Sequence, residues 1–195
     1  YQQNIAQSNI TINLLYKHTE MTPSETTTKQ DYSTIVPAKK ILGIGGSPRP
    51  KGNSDILLES ILAGSQSIST ETSSLHLRDV TFKGCIGCEK CRKDGICTGI
   101  DDEMSMVYQD LLSSKGLILA SPTHNYNITS WMKAFIDRLY CFYHFENDRP
   151  RSWSSRLGGQ NRKAVIAAIC EQQDKKDMGF TLEAMILPIE ALGYE

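Results

Sequence analysis

The sequence lacks any apolar run approaching the length of a membrane span, so nothing in it reads as a transmembrane helix. It lacks an imbalance of charge as well: 21 Lys and Arg stand against 22 Asp and Glu, a formal net charge of −1. That balance implies neither nucleic acid nor a membrane surface as a partner. Two common glycine-rich nucleotide fingerprints are also missing. A dinucleotide fingerprint begun at Gly43 needs a third glycine where Pro48 stands, and no glycine precedes a Gly-Lys-Ser/Thr at P-loop spacing. No basic-then-apolar leader is visible at Tyr1, which sets the expectation of a cytoplasmic protein.

What is present is 195 residues, enough for one ordinary domain and some extra chain. Residues 1–38 are polar and rich in Thr, Ser and Gln, and read as an extension outside the fold. One piece resists that reading, because Ile10, Ile12, Leu14 and Tyr16 alternate with polar neighbours as a half-buried strand would. Met21 is an alternative start, which would leave the first twenty residues non-native. Residues 39–195 carry the domain, with a cysteine loop inserted at 82–99.

The domain is organised around Ile41 to Ser54, where an apolar strand ends in a Gly/Pro/Ser turn and a helix pattern starts directly afterwards. Such a corner aims backbone N–H groups and the positive end of a helix at one point, which suits a phosphate. With hydroxyl and amide groups at Ser47, Asn53 and Ser54 and a single cation at Arg49, it fits one terminal phosphate better than a pyrophosphate. The helix is expected to start at Asn53 or Ser54, with no Glu or Gln at its third position to claim an amide. Next comes a strand with Leu75 and Leu77 alternating against His76 and Arg78, which places His76 towards solvent on a sheet edge.

Further on, Asp101 and Asp102 cap a helix, and Gly116 to Ser121 read as a central strand. Thr129 or Ser130 caps the following helix. Residues 141–162 form a long irregular connection of the kind used as a lid or partner surface. Ala164 to Cys170 make another buried strand, and a final helix covers Phe180 to Leu192. Strands and helices therefore alternate, which predicts an α/β fold: a doubly wound parallel sheet of flavodoxin-like order 2-1-3-4-5. The fifth strand of that order has no sequence left to supply it after Gly193. Truncation is the favoured explanation, with substitution by the segment Ile10 to Tyr16 as the alternative.

In such a sheet the loops after the first three strands leave from one edge, where open α/β sheets bind ligands. The third of these loops, Pro122-Thr123-His124-Asn125-Tyr126-Asn127-Ile128, suits a flat conjugated ring: Tyr126 can stack, and Asn125, Asn127 and backbone N–H groups can bond its rim. For His124 local packing in the turn is an equally plain role. A phosphate at the first loop and a ring at the third describe a flavin mononucleotide, FMN.

The second loop carries Cys85-x2-Cys88-x2-Cys91-x5-Cys97. Three sulfurs at successive x2 gaps favour a [4Fe–4S] cluster; unligated thiols, a zinc site and disulfides remain as alternatives. Lys83, Lys90, Arg92 and Lys93 are expected to lower the thiol pKa values and to offset the charge of a thiolate-ligated cluster. Cys141 and Cys170 lie within regular elements and read as buried, inert thiols.

Gly46-Ser47-Pro48-Arg49 with Gly52-Asn53-Ser54, the run Gly84 to Cys97 with Asp101-Asp102, and Ser121-Pro122-Thr123 with Met132 to Arg138 together resemble the iron–sulfur flavoproteins of methanogenic archaea and anaerobes. These belong to the NADPH-dependent FMN reductase branch of the flavodoxin-like superfamily. The resemblance spans about residues 41–193. It implies that Ser47, Arg49, Asn53 and Ser54 hold the FMN phosphate and that Pro122, Thr123, His124, Asn125, Tyr126, Asn127 and Ile128 hold the isoalloxazine. It further implies Cys85, Cys88, Cys91 and Cys97 as ligands of a [4Fe–4S] cluster, and a homodimer or homotetramer. The activity implied is electron transfer from a ferredoxin-like donor through the cluster to FMN and on to a quinone, oxygen or peroxide. No side chain need act as acid or base. Two alternatives stand beside it: an NAD(P)H-dependent FMN or quinone reductase without a cluster, and a zinc- or redox-sensing binding module.

Overall fold

The computed structural model of the chain describes residues 9–14, 38–67 and 70–195. Its main sheet has five strands: β1 (Asn9–Leu14), β2 (Ala38–Gly45), β3 (Glu71–His76), β4 (Ser114–Pro122) and β7 (Lys163–Cys170). Their order is β1-β7-β4-β2-β3. The four strands β3, β2, β4 and β7 are mutually parallel and give the expected order 2-1-3-4. The central strands follow from sequence directly. Leu117, Ile118, Leu119 and Ala120 are all buried, as a strand covered on both faces requires.

On one face, Leu42, Ile44, Leu117, Leu119 and Ile166 pack beneath α3 (Met104–Ser113), α4 (Ser130–Arg138) and α5 (Glu183–Ala191). On the other, Ile118, Ala120 and Ala167 pack against Leu58 and Leu62 of α1 (Asn53–Gln66). The doubly wound arrangement is thus present. Among the described residues no helix is long and apolar enough to cross a membrane.

The edge beside β7 departs from the favoured expectation. β1 pairs there antiparallel, from Asn9 opposite Cys170 to Leu14 opposite Val165. The alternating segment in the polar N-terminal stretch therefore fills the fifth position over residues 9–14; Tyr16 lies outside the described residues. Past α5, Tyr194 makes a single parallel bridge with Arg162, so the chain end and β1 share this edge. Arg162 holds that corner: its buried guanidinium donates to the carbonyls of Leu111, Leu112 and Ser114 and to the Tyr194 hydroxyl.

Residues 141–162 are less irregular than their sequence suggests. They contain a small antiparallel hairpin, β5 (Tyr143–Phe145) with β6 (Trp153–Ser155). Three-residue strands are too short to leave a readable alternation. A short helix, α2 (Lys90–Asp94), lies within the cysteine loop.

Candidate functional site

The first loop runs from Gly46, whose N–H donates to the Ala120 carbonyl at 2.8 Å, into α1. Ser47 is buried and exchanges two hydrogen bonds of 3.2 Å with the backbone of Arg49. The helix starts at Asn53 as expected, but neither Asn53 nor Ser54 is its cap. Gly52 is the N-cap and offers no side-chain cap, so Asn53 and Ser54 are the first helical residues. An acidic group does claim an amide here, contrary to expectation: Asp55 accepts the N–H of Lys51 at 2.7 Å. Arg49 and Asn53 are exposed, while Ser54 is buried.

Behind this loop stands a brace that the sequence did not single out. Arg78 donates to both carboxylate oxygens of Asp55, at 3.0 and 2.9 Å, and to the carbonyl of Ser47 at 3.1 Å. The strand expected through Leu77 and Arg78 stops at His76, and Leu77–Asp79 form a single three-ten turn. That turn swings Arg78 inward. His76 is not the solvent-facing residue expected either: its side chain is 19% exposed, with Nδ1 3.4 Å from Asp55. Gly45 makes room for it, since a Cβ there would stand 2.5 Å from that nitrogen.

The third loop is a tight turn. His124 and Asn127 exchange backbone hydrogen bonds of 2.7 and 3.0 Å, and Asn125 (φ 49°) and Tyr126 (φ 64°) both take left-handed conformations. Two successive positive φ values are the signature of a type I′ turn. Asn is at home there and Tyr is not. Holding contacts come from the segment after β7: Phe180 donates its N–H to the Tyr126 carbonyl at 2.8 Å, and Thr181 bonds the Thr123 hydroxyl at 3.0 Å. His124, Asn125, Tyr126 and Asn127 are exposed and Pro122 and Thr123 half-buried, whereas Ile128 is buried in the core with its N–H bonded to Asn127.

The first and third loops touch. Thr129, the expected cap of α4, accepts the N–H of Met132 at 3.2 Å and donates its hydroxyl to the carbonyl of Gly46 at 2.7 Å. Phosphate-type corner and ring-type loop therefore share one edge of the sheet.

The second loop carries the cysteines. All six cysteines are free, so the disulfide alternative is not realised. Cys85 and Cys88 are exposed, and Cys91 and Cys97 partly buried. Among the described residues no three of them converge tightly enough to hold a single metal ion. They are nonetheless near neighbours: burial pushes the Cys91 thiol up, and the charges of Cys97, Cys85 and Cys88 push it further. At Cys91 this overrides the lowering expected from the surrounding cations. Cys88 sits against Gly99, where a Cβ would stand 2.3 Å from its sulfur, so the loop is folded back on itself. Gly87 and Gly95 take the positive φ values that this wrapping needs.

The hairpin β5–β6 packs on α2 of this loop through Arg92. Arg92 of α2 lies 4.6 Å over the Phe145 ring and donates to the Tyr140 hydroxyl at 2.6 Å. Cys141 and Cys170 are buried as expected, and burial drives the Cys141 thiol up to about 12.

The family model for NADPH-dependent FMN reductases matches residues 39–173, from β2 through the first residues past β7. The chain belongs to that family. Its curated relatives include an iron–sulfur flavoprotein of Methanocaldococcus jannaschii, 34% identical over 67% of this chain. Another, from Archaeoglobus fulgidus, is 30% identical over 79% of the chain, and one from Methanosarcina thermophila is 31% identical over 51%. The matches cover 60%, 69% and 51% of those relatives, so the chain spans about half to two thirds of their length. Among solved structures, RosB with a bound flavin-derived intermediate superposes with a TM-score of 0.61 over 81% of this chain and 61% of its own, at 15% identity. An FMN-dependent NADH-azoreductase of Bacillus anthracis in complex with FMN gives 0.59 over 80% and 82%, at 16% identity. At such identities both likenesses establish the fold alone.

The donor set suits both groups that the family and its relatives imply. A helix N-terminus without a side-chain cap, next to a buried serine hydroxyl, is a fit seat for a phosphate. Four free thiols on one loop are the donor type that a thiolate-ligated iron–sulfur group requires.

Proposed function

We propose that the chain is part of a flavin-dependent oxidoreductase that binds FMN and a [4Fe–4S] cluster and moves electrons from a ferredoxin-like donor to a small acceptor such as a quinone, oxygen or peroxide. The observation that carries this reading is the junction of loops on one sheet edge: Thr129 bonded to Gly46, and Arg78 bonded to Ser47. Curated relatives named iron–sulfur flavoproteins support the cluster. When bound, the two groups supply the redox chemistry: one-electron uptake at the cluster and storage of an electron pair at the flavin.

The protein's own part is to seat and orient. Ser47, Arg49, Asn53 and Ser54 would hold the phosphate, with the Asp55–Arg78 pair fixing the loop from behind. Because Arg78 neutralises Asp55, the carboxylate does not repel an anion at the helix start. Residues 122–127 would frame the ring with backbone groups and the exposed Tyr126, and Ile128 would anchor the loop in the core. Cys85, Cys88, Cys91 and Cys97 would ligate the cluster. The hairpin β5–β6, stacked on Arg92, would shield one side of the cysteine loop from water. No acid or base is needed from a side chain. A homodimer or homotetramer and a cytoplasmic location complete the reading.

A second reading takes NAD(P)H as the direct donor, and the family description, NADPH-dependent FMN reductase, favours it. One experiment separates the two. Protein reconstituted anaerobically with FMN, iron and sulfide is analysed for all three. About four irons per chain together with one FMN support the relay. FMN without iron, with rapid bleaching by NADPH, moves the assignment to the simple reductase.

A further inference from the structure

The cysteine loop leaves and rejoins the body of the fold through a narrow neck. Glu103 donates its N–H to the Thr81 carbonyl at 3.3 Å, and Lys83 donates its N–H to Asp102 at 3.0 Å. Across this neck lies a guanidinium from outside the loop. Arg138, the last residue of α4, has a side chain only 1% exposed. It donates to both oxygens of Asp102, at 2.7 and 3.0 Å, and to the carbonyl of Lys83 at 2.8 Å. Both sides of the neck are thus bonded to one planar fork, a geometry that an ammonium cannot reproduce.

Two further facts single Arg138 out from an ordinary buried ion pair. Its Nε–H is buried and has no partner. Buried donors are rarely left so, and each instance calls for an explanation. The helix that ends at Arg138 also begins at the Thr129 cap, which is bonded to Gly46. One nine-residue helix, about 13 Å long, therefore spans from the phosphate-type corner to the cysteine neck.

We propose that Arg138 is the positioning residue of the cysteine loop: its paired nitrogens lock Asp102 to Lys83 across the neck, and the locked neck presents the loop's thiols for a cluster. The lock needs no cluster. The second role rests on the cluster reading given above.

The test uses the full chain carrying R138K, which keeps the charge and loses the fork. In the apo protein, amide exchange across residues 83–99 is expected to rise about tenfold or more while β2 and β4 keep wild-type protection. Unchanged exchange in the loop overturns the lock. After anaerobic reconstitution, R138K is expected to retain less than half of the wild-type iron. Wild-type iron content in R138K overturns the second role. If the wild-type chain itself takes up no iron, the cluster reading and the second role fall together, and the exchange measurement still decides the lock. Should R138K not fold, D102N opens the same neck with the guanidinium in place and gives the same exchange readout.

Discussion

Thr129 donates its hydroxyl to the carbonyl of Gly46 across 2.7 Å, joining the loop after β4 to the loop after β2. The two residues are 83 positions apart and both are buried. Replacing Thr129 by Val keeps the volume but leaves the Gly46 carbonyl and the Met132 N–H without their partner. Each unmet buried group costs about 1–3 kcal/mol. T129V is expected to lower the melting temperature and to weaken FMN binding about tenfold, the equivalent of 1.4 kcal/mol. Calorimetry and fluorescence titration with FMN measure both. Unchanged FMN affinity in a destabilised T129V would show that the junction serves the fold alone.

Gly179 tests the turn at Tyr126. It lies at φ +55°, and a Cβ there would stand 2.2 Å from the Tyr126 carbonyl oxygen. G179A therefore meets a left-handed penalty of about 1–2 kcal/mol as well as a clash with backbone. The segment after β7 must move away from the 124–127 turn. Loss of FMN affinity with the main-sheet amides still protected is the expected pattern, read by titration and hydrogen exchange.

Asp102 gives the account a pH dependence. Burial pushes its carboxyl up, but hydrogen bonds from Arg138 and from the amides of Lys83 and Met104 outweigh that and hold it below the usual carboxylate range. A depressed folded-state value contributes stability above the unfolded value, about 3.9 for Asp, and loses it as pH falls through the lower folded value. The cysteine neck is expected to stay closed at neutral pH and to loosen only below about pH 4. D102N should open the neck at neutral pH and remove that acid-dependent component. Limited proteolysis of the 83–99 loop across pH, with an acid-stable protease, reads it out.

Thiol labelling separates the two classes of cysteine. With its thiol up at about 12, Cys141 holds on the order of one thiolate in ten thousand at about pH 8. Exposed Cys85 and Cys88 are expected to alkylate first in the apo protein, Cys91 and Cys97 later, and Cys141 and Cys170 only on unfolding. Mass spectrometry of partially alkylated protein gives the order directly. Early modification of Cys141 would contradict its burial in the core.

The parallel order was legible because Leu117 to Ala120 and Ala164 to Cys170 are continuous apolar runs that only a doubly covered strand uses. Thr129 was legible as a cap because hydroxyl caps act over three residues. Contacts across long separations left no such trace. Arg78 with Asp55 and Arg138 with Asp102 join residues 23 and 36 positions apart, and no local pattern in the sequence pairs them. The edge strand β1 was legible as an alternating pattern, but its partner and direction depend on β7, more than 150 residues away. His76 was misplaced because a neighbouring glycine, Gly45, opens a space that periodicity does not record.

The most direct test of the central claim follows flavin reduction by a reduced ferredoxin-type donor under anaerobic conditions, in reconstituted wild-type protein and in C91S. Both proteins should bind FMN, and dithionite should reduce it in both. If the cysteine loop is the entry point, donor-driven bleaching of the flavin is rapid in the wild type and falls by about a hundredfold or more in C91S. Equal rates in the two proteins would contradict the account, because electrons would then reach the flavin without the cysteines.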